Sequence, residues 1–363
     1  MRSKSKMLDV AMIPGALARR LLPLAAAAVL VALAPVAALS FDEVEIAGKG
    51  VQKGAIIGIS RDEIKLDQTG LQRSYPVNEV RGVTFEQEPP ELKAAKRFIE
   101  NQQIDMAMEN LEKLKEEEMP SKAIQMELQF YRAYCNAQQA LAGAGDVNAA
   151  YQLMARFLTE QGGANSHHYY EACEISGDLK AASGDYETAA KAYGILARAP
   201  FPDFVKRAQV LQGRSLMKQE KYDEALRLFE AAIAGPAGGS GAAEQQLFAL
   251  LGKAACLGAK GQSGEGVKIA QKIIAEGNPS DAKLFARAYN ALGACYRLAD
   301  QPKDALIAYL HTDILFYGDG ESHAEALHYL SKLWREVGRA DRAEQARTVL
   351  RQRYPGSVYN RVD

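Results

Sequence analysis

The stretch ARAYNALGACYRLADQPKDALIAYL, residues 286–310, decides the fold. Gly293 follows Leu292, and Tyr296 lies one helical turn on. Twelve residues after Gly293 comes Ala305, opened by Asp304, and four further on comes Tyr309. Small residues at fixed places let two helices approach closely, and the large residue then fills the adjoining gap.

The pattern recurs. Gly177, Gly213, Gly252, Gly293 and Ser331 follow one another at spacings of 36, 39, 41 and 38 residues. Ala189, Ala225, Ala305 and Ala343 lie twelve residues after four of these marks, and Tyr193, Phe229, Tyr309 and Arg347 four further on. The strings Ser183-Gly184-Asp185-Tyr186, Gln219-Glu220-Lys221-Tyr222 and Val337-Gly338-Arg339-Ala340 join the helices. Pro200, Pro236, Pro279 and Pro355 close units, because proline cannot continue a helix. In the third unit Gly261-Gln262-Ser263-Gly264 shifts the second helix by two residues and brings Gly266 to the Ala position. Weaker units read from Leu92 to Lys115 and from Glu127 to Phe157. Gly235 to Gly241 reads as a flexible loop between repeats, the expected hinge or proteolysis point.

Leu251-Gly252, Leu292-Gly293 with Tyr296, and Leu330-Ser331 with Trp334, followed by Asp223-Glu224-Ala225 and Asp304-Ala305, make residues 91–355 resemble the tetratricopeptide repeat family. The resemblance implies a mainly α chain, an α-α superhelix of six or seven helix pairs. It also implies a protein or peptide partner on a long inner groove.

Upstream, residues 41–88 alternate with period two: Val44/Ile46, Ile57/Ile59, Ile64/Leu66, Val83/Phe85. Turn strings separate the runs, and Gly54 and Gly58 mark a bend or bulge in the second. Short strands so closely spaced predict a small closed barrel, similar to SH3-like or Sm-like barrels, leaning on the helices that follow. Glu86-Gln87-Glu88-Pro89-Pro90-Glu91 is the boundary, with Pro90 suited to the first position of a helix.

Residues 1–40 carry Arg2, Lys4, Lys6, Arg19 and Arg20 against one acid, Asp9. The apolar run Leu21 to Ala34 and the small residues Ala37, Ala38 and Ser40 follow. This order predicts a secretory signal peptide and an exported chain, periplasmic or associated with the cell envelope. Cleavage falls before Phe41 or after Ala38; an uncleaved anchor is the alternative. Residues 356–363 read as a tail.

The chain is 48% apolar and 25% charged, a globular balance that excludes a disordered or polytopic membrane protein. Its net charge is −1, and beyond residue 40 there are 39 Lys and Arg against 44 Asp and Glu, so no global basic field for nucleic acid is expected. A barrel serving as a nucleic-acid or ligand module, with the repeats as spacer, is the alternative function. Cys135, Cys173, Cys256 and Cys295 form no Cys-x-x-Cys, and their positions suit small core residues rather than disulfides or zinc. His323 and His328, five apart, do not share a helical face; His167-His168-Tyr169-Tyr170 opens a helix. No phosphate loop, dinucleotide fingerprint or nucleophile elbow is present, so no enzyme, cofactor or metal is expected.

In the tetratricopeptide family the first helices line the inner groove, so the resemblance implies that on this register the inward positions lie at −6, −3, +1 and +4 from the small residue. They give Arg207, Arg214, Lys253, Arg287, Arg297, Lys332 and Arg335, with Asn290 as a neutral donor and an acidic patch around Glu174. The expectation is a mainly basic stripe that receives an acidic peptide segment. The reading is a non-catalytic protein-binding scaffold or assembly factor of the bacterial envelope.

Overall fold

The computed structural model describes residues 41–159, 162–235 and 240–360. The leader expected over 1–40, residues 236–239 of the expected hinge and the last three residues of the tail lie outside the described residues. Phe41–Asp363 form one compact unit.

Five antiparallel strands come first: β1 (Asp42–Ile46), β2 (Gly50–Ile59), β3 (Glu63–Gln68), β4 (Leu71–Pro76) and β5 (Val80–Thr84), in the order β4-β3-β2-β1-β5. The first half of β2 pairs with β1 and the second with β3, with a register shift between Ile56 and Gly58. Gly54 sits where the strand changes partner, and a Cβ there would lie 2.4 Å from the Asp67 carbonyl oxygen. The bend is therefore where the glycines placed it.

The expected closed barrel is corrected: the sheet is open, with β4 and β5 as its edges. The reason lies in its core. Val44, Ile46, Ile64, Leu66, Tyr75 and Val83 pack into one cluster with Leu92, Leu111, Ile124 and Leu128 of the first helices. Helices cover the apolar face that a barrel would cover by closing on itself.

Among the described residues fourteen α-helices follow, in seven consecutive pairs. They are α1 (Pro90–Glu100) with α2 (Ile104–Glu112), α3 (Lys122–Leu141) with α4 (Val147–Thr159), and α5 (Tyr169–Ser183) with α6 (Tyr186–Leu196). Next are α7 (Pro202–Lys218) with α8 (Tyr222–Ala234), and α9 (Ser240–Ala259) with α10 (Ser263–Glu276). The last are α11 (Ala282–Leu298) with α12 (Pro302–Leu315), and α13 (Gly320–Glu336) with α14 (Ala340–Arg353). Pro90, Pro202 and Pro302 occupy first turns, where the missing N–H costs nothing. Ser121, Asp185, Asp281 and Asp319 cap their helices by accepting a backbone N–H three residues on.

The small residues work as the spacing predicts. A Cβ on Gly177 would lie 2.3 Å from the Tyr193 ring, one on Gly213 2.7 Å from Phe229, and one on Gly293 2.8 Å from Tyr309. The third unit departs, as its shifted loop foretold. A Cβ on Gly252 would lie 2.3 Å from the Phe229 ring of the preceding pair, and one on Gly266 would lie 2.5 Å from both the Ala254 carbonyl oxygen and the Cys295 sulfur. Phe229 is thus wedged between two pairs; burying one such ring contributes roughly 1.5–3 kcal/mol. All four cysteines are buried and free, and burial pushes their thiols up to between about 11 and about 12, so they are inert core residues.

Candidate functional site

The side chains of the first helices meet one another, and they meet as pairs of opposite charge. Arg207 on α7 is 2.7 Å from Glu174 on α5. Arg214, also on α7, pairs with Glu321 on α13. Arg287 on α11 lies 3.8 Å from Asp319 at the start of α13 and 4.6 Å over the Phe248 ring of α9. Lys253 on α9 pairs with Glu230 of α8 at 2.9 Å. The basic stripe is therefore matched by carboxylates from neighbouring elements that a single helix register does not reveal.

Not every expected residue joins this surface. Asn290 is buried: its Nδ2 donates to the Ser322 carbonyl at 2.8 Å, and its Oδ1 accepts from the Thr312 hydroxyl at 2.8 Å. Its amide is committed to holding α11, α12 and α13 together. Arg297 stacks over the Tyr329 ring at 4.6 Å. Lys332 and Arg335 lie on the C-terminal half of α13, Arg335 exposed. Among the described residues, Arg287 and Arg297 each keep a buried Nε donor without a hydrogen-bond acceptor.

The electrostatics follow from this crowding. Burial pushes the Glu174 carboxyl up to about 7, with Asp178 and Glu171 adding to the rise and Arg207 opposing it. Burial likewise raises Asp178, against the hydrogen bond from Tyr193 at 2.7 Å. Burial and the neighbouring Arg214 lower Arg287. Glu321 is held low, because Arg214 and Arg287 outweigh its own burial.

Beside this surface lies a cleft of about 780 Å³, bounded by β5, α1, α3, α5 and the start of α7. Tyr131, Tyr134, Tyr170 and Phe204 give it aromatic walls, and Arg207, Glu171, Glu174 and Asp178 line its floor. The sheet is tied to this region by the Tyr170 hydroxyl, which donates to Asp62 at 2.7 Å, and by the Asn78 amide, which donates to Asp203 at 3.1 Å. The cleft thus depends on the strand segment and the repeats together.

One wall hides a buried charged network. The Lys96 ammonium donates to Glu127 at 2.7 Å and to the Val83 carbonyl at 2.8 Å, and it lies 2.8 Å from Glu88. His168 Nε2 is 3.1 Å and His167 Nε2 3.6 Å from the other Glu127 oxygen. Burial opposes the Glu127 charge, but Lys96 and the two histidines outweigh it and hold the carboxyl well below the usual range. Burial and His168 push His167 down to about 3. His168 goes the other way, because Glu127 and Glu171 outweigh its burial. His168 immediately precedes α5 and makes no side-chain cap. His323 and His328 are placed apart, His323 against Asp313 and Tyr354, His328 against the Tyr359 carbonyl.

The sequence held a signal for this network that periodicity alone passes over. Glu127 sits on the same face of α3 as Ile124, Leu128 and Tyr131, a charge inside an apolar stripe.

The fold is that of helical repeat proteins of the tetratricopeptide type. A tetratricopeptide repeat protein from Parabacteroides merdae superposes with a TM-score of 0.51 at 16% identity, over 72% of this chain and 91% of that one. A Rap protein complexed with competence and sporulation factor gives a TM-score of 0.46 at 11% identity, over 73% and 76%. The apo quorum sensor NprR from B. thuringiensis gives 0.44 at 12%, over 72% and 86%. At these identities the likeness concerns the fold. No family model matches the chain, and no curated relative matches it.

Proposed function

We propose that this chain is a non-catalytic scaffold or assembly factor that takes a peptide or protein segment into the cleft between β5, α5 and α7. The carrying observation is the cleft itself: about 780 Å³, aromatic walls, and a floor of oppositely charged side chains. Such a surface offers stacking area and exchangeable ion pairs but no nucleophile with an activating base. An acidic segment would enter by exchange, its carboxylate replacing Glu174 on Arg207 in the cleft and, where the segment continues onto the adjoining face, Glu321 on Arg214 and Asp319 on Arg287. A carboxyl poised near neutrality, as Glu174 is, can leave its arginine as the uncharged acid.

The leader-like order of residues 1–40 supports an exported, envelope-associated setting. Sequencing the N-terminus of protein recovered from the envelope should give a start near Phe41; an intact Met1 in a cytosolic fraction would refute export. For binding, a photo-crosslinking side chain at Tyr134 or Gln138 should capture one discrete partner, and Arg207→Glu should weaken that capture at low salt. Capture only from Ile314, exposed on α12, would overturn the cleft as the site.

A further inference from the structure

We propose that Glu127, His167 and His168 form a binding site for a divalent transition-metal ion of the zinc class, on the wall of the cleft. The three donors come from α3 and from the turn before α5, all buried, with ligand atoms within 4.8 Å of one another. An ion held about 2.0–2.1 Å from each donor in a tetrahedral site needs donor separations of about 3.3 Å. The Glu127 oxygen lies 3.1 Å from one imidazole Nε2 and 3.6 Å from the other, which brackets that separation. The two imidazole donors lie within 4.8 Å of each other and would draw together around a shared ion.

The surroundings orient each donor. Phe130 stacks flat on His168, with ring centroids 3.7 Å apart and planes within 8°, so both its nitrogens point in the plane of the stack. Glu171 lies 3.5 Å from His168 Nδ1, the place of the outer carboxylate in a carboxylate–histidine–metal relay. Lys96 holds the other Glu127 oxygen, so the carboxylate has one oxygen fixed and one turned to the imidazoles. Both imidazoles line the cleft, the side from which an ion and a fourth ligand would enter. Two imidazole nitrogens and one carboxylate suit zinc-like ions; calcium and magnesium require more oxygen ligands.

The test uses the full chain, stripped with chelator and titrated with zinc chloride alone by calorimetry, with cobalt(II) as an optical probe. The expected result is saturable one-to-one binding and the intense visible bands of four-coordinate cobalt. His167→Ala should abolish both. Glu171→Gln, at a residue whose side chain is half exposed and so tolerant of change, should weaken zinc binding about 10–100-fold. Absence of saturable binding in the unmodified chain overturns the site. So does binding that neither variant changes.

Discussion

Arg214 on α7 and Glu321 on α13 are ion-paired across the inner face, although 107 residues separate them in sequence. The pair joins helices three repeats apart. Both side chains keep partial contact with solvent, so a double-mutant cycle of Arg214→Ala and Glu321→Ala should give a coupling of about 0.2–1 kcal/mol. The coupling should shrink in high salt. A coupling of zero at low salt would mean that this ion pair adds nothing to the contact between the two helices.

The Lys96 network should behave differently, because it is buried. Lys96→Met leaves Glu88 without its cation and Glu127 with only the imidazoles, and removing one partner of a buried pair costs about 3–5 kcal/mol. Urea unfolding of the variant should show this loss, with the sheet and α1–α3 melting together because they share a core. A loss below about 1 kcal/mol, the scale of a solvated pair, would contradict the burial.

Glycine substitutions test the register. Gly252→Ala forces a methyl group against Phe229 and should cost roughly 1–3 kcal/mol by overpacking. Gly264→Ala, whose Cβ meets nothing within 4 Å, should be neutral or mildly stabilising through helix propensity. Equal thermal shifts for the two would show that Phe229 is not wedged where it stands.

Glu174 sets a pH dependence with a definite sign. Its carboxyl rises from the ordinary 4.5 to about 7 on folding. Between those values the native state binds a proton that the unfolded chain has released. Its contribution is thus complete below about 4.5 and is lost as pH climbs through about 7. Unfolding free energies measured from pH 5 to 8 should therefore fall with pH. Glu174→Gln should make the slope shallower by up to about 1.4 kcal/mol per pH unit. An unchanged slope would assign the proton uptake to another group, with Asp178 the nearest raised carboxyl.

The repeat marks from Gly177 to Ser331 were legible because helix pairing is periodic: a close approach needs a small residue each time the same two faces meet. The bend at Gly54, the start of α1 at Pro90 and the displaced third unit at Gly266 were legible for the same local reason. The open sheet was not. Alternation shows that one face of each strand is buried, but not whether strands or helices bury it, and Leu92, Leu111 and Leu128 supply the cover.

The site divides along the same line. The sequence by itself determined which residues of the first helices share a face, and so placed Arg207, Arg214 and Arg287 together. Only the tertiary structure decided what they face, because Glu174, Asp319 and Glu321 reach them from other helices. It alone turned Asn290 inward, and it alone carried Glu127 to His167 and His168, some forty residues on. A helical register fixes direction about one axis; the superhelical path, summed over many small packing contacts, fixes which axes meet.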